Sequence, residues 1–385
     1  MPCAAVSSPC PRISKQNNIN QLNFIEYNQL PDGILELSAS ALHQMLDGPS
    51  LIHLEGRRKR PLVISVLQHG NEDTGWEAVR RLIKNNYLFD ELPRSLLLFI
   101  GNVQAARHRV RRLDDQPDYN RCWPSGSEMD TDSPAMFRQV MDRMLEYDPW
   151  ACVDIHNNTG LNPHYAAVNR VHPDHLRLAA CFAPQVVYFT RPAGTMSHAF
   201  SVHIPSSTLE CGQAGNVHGT DHTMAYLETL LHIDDLSSLP LSTADVQLFH
   251  MRATVTVPHD VAFDFGASAT ELTLRDDLDS LNFQELPPHT AFGRVSNGNS
   301  RPVRAIDIRG RDVTPYYFSV EDGELVTARP IMPSMLTLDR RVIQQDCLCY
   351  LMERLDYDAD HEPMEIDPLP DSIPRITNPG GPGAG

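Results

Sequence analysis

The segment His69-Gly70-Asn71-Glu72 sets an imidazole and a carboxylate three positions apart, close to one helical turn. Such a pair grips a single cation if the backbone coils there, although H-x-x-E alone is a common pattern. The segment ACVDIHNNTG ends its apolar run at His156. Two histidines and one glutamate, with a fourth position left for water, form the open ligand set of a catalytic rather than a structural zinc, so one Zn2+ per chain is expected. Such a metal polarises an amide carbonyl and draws the pKa of water towards about 7. The reaction still needs a carboxylate to pass a proton to the leaving nitrogen. Glu210, in TLECGQAG, is the candidate, because the flanking Leu209 and Cys211 read as a buried strand where a carboxylate without a task is costly. A buried Glu paired with an Arg fits those residues equally well. The arginine-rich loop 101–123 (GNVQAARHRVRRLDDQPDYNRCW) stands out in an acidic chain. Its guanidinium groups suit a bidentate grip on a carboxylate and the stabilisation of an oxyanion, or else a solvated face paired with Asp114, Asp115 and Asp118.

These groups must be held by regular elements, and the apolar pattern supplies them. Residues 62–67 have the length and β-branched content of a buried strand, and Trp76, Val79, Leu82 and Ile83 then follow a helical face. The basic cluster Arg57, Arg58, Lys59 and Arg60 reads as a solvated turn before that strand. Residues 95–100 form a second strand, and Met136, Val140, Met144 and Leu145 a helical stripe. Further strands are expected at 151–155, 186–189 and 208–211, and a helix over 220–231. Alternating strands and helices from 60 to 235 predict an α/β fold with a mostly parallel central sheet flanked by helices, whose ligands bind at the carboxyl ends of the strands. From 248 to 338 short alternating runs are broken by Pro, Gly and Asn, the pattern of a smaller β-rich domain. The expected organisation is an N-terminal extension (1–45) with a short helix around 39–46, a hydrolase domain (46–240), a β-rich C-terminal domain (241–355) and a disordered tail (356–385) crowded with Pro and Gly.

With 41% hydrophobic and 21% charged residues the 385-residue chain lies in the globular range. Its 32 Lys and Arg against 49 Asp and Glu give a net charge of -17, which repels nucleic acid and anionic membrane surfaces. A small anionic substrate is still compatible, given local arginines. No apolar run is long enough to cross a bilayer, and the first thirty residues lack the apolar core of a secretion signal. Eight cysteines without regular spacing do not form a disulfide framework, and Cys347 with Cys349 lacks a second pair for a zinc knuckle. A reduced, cytoplasmic protein is expected.

Taken in order, H-x-x-E, G-N followed by an arginine-containing stretch, D-x-N-R, D-x-H-N-x-T and E-x-G resemble the succinylglutamate desuccinylase and aspartoacylase family, within the wider zinc carboxypeptidase group. The resemblance covers roughly residues 60 to 235, and the later β-rich part fits the family only in outline. It implies that His69, Glu72 and His156 are the zinc ligands and that Glu210 is the general base and proton shuttle. It further implies that Arg111, nine residues after Asn102, stabilises the oxyanion, and that Asn120 and Arg121 hold the free carboxylate of the substrate. Tyr316, with Tyr317 close behind, corresponds to a tyrosine that the family's C-terminal domain contributes. There are departures. Val103 replaces the usual Pro after Asn102, and Gln116-Pro117 looks like an insertion. An arginine ten residues before the base, which helps read a second acidic group, is here Phe200, with Arg191, His198 and His203 as the candidates to replace it. Asp154 shares the strand face of His156 and suits an acceptor that orients the imidazole. The expected activity is hydrolysis of the amide bond of an N-acyl amino acid by metal-activated water. The alternatives are a zinc metallocarboxypeptidase removing a C-terminal residue from a peptide, which would use the same residues, and a non-catalytic metal-binding module.

Overall fold

The computed structural model describes residues 24–124, 134–241, 246–266, 269–296, 298 and 301–356. The expected tail therefore lies, beyond residue 356, outside the described residues, as do the first 23. The N-terminal part contains β1 (Ile25–Tyr27), β2 (Ser50–Leu54), β3 (Gly56–Val66), β4 (Leu92–Ile100) and β5 (Ala151–Asn158), with α1 (Thr74–Leu82), α2 (Val103–His108) and α3 (Ala135–Leu145). Next come β6 (Tyr165–Val168), α4 (Pro173–Ala180), β7 (Gln185–Tyr188), α5 (Met196–Ser201), β8 (Ser206–Gln213), α6 (Val217–His232) and β9 (Gln247–Thr256). The remainder holds β10 (Phe263–Phe265), β11 (Leu272–Leu274), β12 (Ala291–Val295), β13 (Arg304–Asp307), α7 (Thr314–Tyr317), β14 (Phe318–Glu321) and β15 (Glu324–Thr327). It closes with β16 (Met332–Ser334), α8 (Arg340–Gln345) and β17 (Cys349–Arg354).

Contacts divide the chain into two compact units. The first takes the residues up to 156 together with 192–209 and 220–238, and the second takes 157–191, 210–219 and 239 onward. In the first unit the strand order is β1-β2-β4-β3-β5, with residues 206–209 of β8 beside β5. β3 runs parallel to both β4 and β5, and β1 to β2, in keeping with the mostly parallel sheet expected, while β2 and β4 are antiparallel. The cause is local: one residue, Glu55, separates β2 from β3, and the chain reverses there.

Residues 61–66 of β3 and all of β4 are buried, as a strand covered on both faces requires. On one face α3 and α5 lay Phe137, Val140, Met144 and Phe200 against Val63, Leu97, Phe99 and Cys152. On the other face α1 approaches so closely that a Cβ at Gly75 would stand 2.9 Å from Val66 and 3.0 Å from Ile155. Helices therefore cover both faces of this sheet.

Two readings of the sequence need correction in this unit. The basic cluster 57–60 is not a turn but the exposed first half of β3, where Arg58 pairs with Asp234 and Arg60 with Asp148. Residues 103–108, read as loop, form α2, because the Asn102 side chain accepts the Ala105 N–H at 3.0 Å and caps the helix. The described part of the N-terminal extension is joined to the sheet through β1, which pairs with β2.

The second unit has parallel β6, β7 and β9, extended by antiparallel β17 and β16, with β13 also pairing β9. A separate five-stranded sheet, β10-β11-β12-β15-β14, packs Leu272, Leu274, Phe292 and Leu325 into a core shared with Ala253 and Val255 of β9 and Leu351 of β17. Because Val186 of β7 pairs with Leu248 of β9, a sequence cut near residue 240 would fall between paired neighbours, and the contacts group the chain differently. Cys122, Cys152, Cys181 and Cys349 are free thiols. No helix among those residues is long and apolar enough to cross a membrane.

Phe137 is fully buried and meets Tyr119 and Trp123 edge-on, each at a ring distance of 5.2 Å. Phe137→Ala is expected to lower the unfolding free energy by roughly 3–5 kcal/mol in denaturant titration. A loss under about 1 kcal/mol would contradict this account of the core.

Candidate metal centre

The site is built where β3 and β5, adjacent and in register at Ser65 and Asp154, come to their carboxyl ends. Beyond β3 the chain turns through Leu67, whose φ of 57° is the left-handed region that a branched residue enters at a cost of about 1–3 kcal/mol. Its carbonyl accepts the Asn102 N–H at 2.6 Å, which holds the turn. Gly70 follows because nothing larger fits: a Cβ there would lie 2.2 Å from the Ala106 nitrogen. The Gly70 N–H donates to the Arg111 carbonyl at 3.0 Å, and Glu72 N–H closes a turn onto His69 O at 3.2 Å. That turn carries the Glu72 side chain back beside His69.

Glu72 lies between two imidazoles. Its Oε1 is 2.8 Å from His69 Nδ1 and its Oε2 is 2.7 Å from His156 Nδ1. All three side chains are buried, and one ligand atom from each lies within 4.8 Å of the others. The opposite nitrogens are also engaged: His69 Nε2 is 3.0 Å from Asp118 Oδ1, and His156 Nε2 is 2.9 Å from Asp154 Oδ2. Each histidine thus turns Nδ1 to the shared centre and Nε2 to a carboxylate, the arrangement that leaves a ligating nitrogen free for a cation.

The loop after α2 wraps this centre. Asp118 accepts both Nε and Nη2 of Arg111 on Oδ2, at 3.1 and 2.9 Å, while its Oδ1 takes the Asn120 N–H at 3.0 Å. Asn120 Oδ1 accepts the Met196 N–H at 3.3 Å, and its Nδ2 comes 3.3 Å from His156 Nε2. Arg121 donates to the Asn120 carbonyl at 2.9 Å. Gly194, at φ 81°, lets the chain pass so close that a Cβ would stand 2.4 Å from the Arg121 carbonyl oxygen, and Trp123 N–H donates to Gly194 O at 3.0 Å.

Burial alone would raise the carboxyl pKa values here, yet the charges reverse the sign. His69 and His156 hold Glu72 well below the usual carboxylate range, and His69, Arg111 and Arg121 do the same for Asp118.

A family model described as the succinylglutamate desuccinylase/aspartoacylase catalytic domain matches residues 59–233. That segment is similar to the family's catalytic domain. No curated protein matches the chain. Among solved structures, the fold is similar to that of succinylglutamate desuccinylase from Vibrio parahaemolyticus, with TM-score 0.54 and 15% identity over 81% of this chain and 87% of that one. Succinylglutamate desuccinylase from Chromobacterium violaceum gives TM-score 0.51 and 17% identity over 81% and 90%. Succinylglutamate desuccinylase/aspartoacylase from Rhodobacter sphaeroides gives 0.52 and 16% over 79% and 88%.

The family segment contains every site residue expected from sequence except Tyr316. Within the first unit the structure brings together His69, Glu72, His156, Arg111, Asn120 and Arg121. Glu210 and Tyr316 belong to the second unit, where Glu210 is half-buried on β8 and Tyr316 lies under the Arg329 guanidinium at 3.7 Å. Phe200, at the position of the family's second arginine, is buried in the aromatic core against Trp123. Two participants were missed. Asp118 was seen only as an arginine partner, although its place in D-x-N-R was the available signal, and Gln68 carried no signal at all.

The donor set fits a divalent cation. Two imidazole nitrogens and a carboxylate converge within reach of one ion, and the residues behind them are hydrogen-bonded acceptors. Burial lowers the His156 imidazole pKa, but Asp154 and Glu72 outweigh it and hold it well above 6.5. Protonated His156 therefore stabilises the metal-free protein below its unfolded pKa, and that contribution is lost as pH rises through the folded value. A cation must displace the Nδ1 proton. Zinc affinity is thus expected to rise with pH above 6.5, with proton release seen by calorimetry in buffers of differing ionisation enthalpy. An affinity independent of pH, with no proton released, would contradict this.

Proposed function

We propose that the protein is a zinc-dependent hydrolase of the cytoplasm that cleaves the amide bond of a small N-acyl amino acid carrying a free carboxylate. The observation that carries this reading is the buried His69–Glu72–His156 group inside the family-matched segment. Bound by those three residues, zinc would supply Lewis-acid polarisation of the amide carbonyl and a lowered pKa for water.

The chain's own residues do the rest. Asp118 and Asp154 hold the two imidazoles in orientation. Arg111, fixed against Asp118, places a guanidinium where negative charge develops on the carbonyl oxygen. Asn120 and Arg121 receive the substrate carboxylate, with Arg121 giving an otherwise acidic chain its selectivity for an anion. Glu210 takes the proton of the attacking water and delivers it to the departing amine. Tyr316 contributes a further contact to the substrate. The apolar side chain at Phe200 argues against a second acidic group being read from that position.

The purified protein is expected to hydrolyse at least one member of a panel of acetyl-, formyl- and succinyl-amino acids. Release of C-terminal residues from short peptides, with the panel untouched, would replace this reading by a carboxypeptidase. Glu210→Gln should reduce kcat by about 10²–10⁴-fold with the zinc content unchanged, and full activity in that variant would remove Glu210 from its role. Arg121→Ala should raise KM about tenfold or more with kcat little altered, the loss of a charged hydrogen bond to substrate. An unchanged KM would show that the carboxylate is held elsewhere.

A further inference from the structure

Behind His156 a line of buried polar groups runs on beyond Asp154 to two residues that the proposed chemistry does not use. Trp123 Nε1 donates to Gln68 Oε1 at 2.7 Å, Gln68 Nε2 donates to Asp154 Oδ1 at 2.7 Å, and Asp154 Oδ2 stands 2.9 Å from His156 Nε2. Trp123, Gln68 and Asp154 are each at most 1% exposed, so solvent does not substitute for any link.

The direction of every bond in this line follows from donor inventory. An indole N–H only donates, so the Gln68 oxygen must face Trp123 and its amide N–H must face Asp154. An ionised carboxylate only accepts, so the proton between Asp154 and His156 sits on Nε2. Nδ1, on the far side of the ring, is then the nitrogen left to bind a cation beside Glu72. Asn120 Nδ2 approaches the same Nε2 at the longer distance of 3.3 Å, and its orientation is set by Met196 N–H on Oδ1. If Asn120 donated to a bare Nε2, a buried carboxylate at 2.9 Å would face a lone pair, so the Asp154 arrangement prevails.

We infer that Gln68 and Trp123 are positioning residues for the metal ligand His156: through Asp154 they fix its ring orientation and keep its proton on Nε2. The inference rests on the reading of His69, Glu72 and His156 as a zinc site. Sequence position reinforces the geometry, since Gln68 directly precedes His69. One residue therefore sits in the turn that presents the first histidine and steadies the second from behind.

The test measures zinc dissociation constants of the full chain by competition with a chelating dye, alongside the visible spectrum of the cobalt-loaded protein. Gln68→Leu should weaken zinc binding about 10–100-fold and alter the cobalt bands. Trp123→Phe, which keeps an aromatic ring and removes only the donor, should weaken it less. The double variant should be no worse than Gln68→Leu, because Trp123 acts through Gln68. Zinc affinity within twofold of wild type in folded Gln68→Leu would overturn the inference, as would losses from the two substitutions that simply add. Should Gln68→Leu fail to fold, Trp123→Phe and the ¹⁵N spectrum of zinc-loaded wild type decide: a proton on His156 Nδ1 rather than Nε2, or an unchanged affinity in Trp123→Phe, overturns it. Wild-type protein that binds no zinc would instead overturn the underlying metal-site reading, and the inference with it.

Discussion

The centre of this protein depends on one carboxylate shared by two buried imidazoles. Glu72 reaches both His69 and His156 at hydrogen-bonding distance in a place where water does not solvate them. Isolated charges in such a position are expensive, so each member must be matched by an opposite charge or a cation. The structure meets this demand by layers. The imidazoles face a common carboxylate inward and separate carboxylates outward, and those in turn are held by Arg111 on one side and Gln68 on the other. An assembly of this kind is stable only when all its partners are in place, which is why so much nearby backbone is fixed by glycines, a left-handed turn and a capping asparagine.

What the sequence displays about the fold follows from burial. Strands covered on both faces, such as the inner half of β3 and the whole of β4, appear as continuous apolar runs and were legible. The exposed half of β3 was not, because Arg57, Arg58, Lys59 and Arg60 give no periodic signal and look like a turn. Helix α2 escaped for a related reason: it is short, and its start is set by one side chain of Asn102 rather than by an apolar stripe. The grouping of the chain into units is likewise invisible in sequence, since it depends on β7 and β9 pairing across some sixty residues.

The site shows the same division. The grouping of His69, Glu72 and His156 was legible because ligand chemistry restricts residue type and because His69 and Glu72 follow β3 while His156 lies near the end of β5. Asp154 was legible through the two-residue repeat of a strand, which puts it on the face of His156. Gln68 was not, because glutamine next to a ligand has no chemistry of its own, and its meaning depends on Trp123, fifty-five positions away, being folded against it. Arg111 belongs between these cases. Its type was informative, and Asp118 stood among its candidate partners, but nothing in the sequence showed that the same carboxylate also meets His69, and that arrangement fixes where the arginine's charge resides.

The close passage of Gly194 behind Arg121 limits how this part of the protein could diversify. With the Arg121 carbonyl pressed against a residue that admits no side chain, and with the Trp123 amide tied back to that same glycine, the loop cannot slide or widen there. Any change in what this loop contacts must then come from exchanging side chains on a rigid frame.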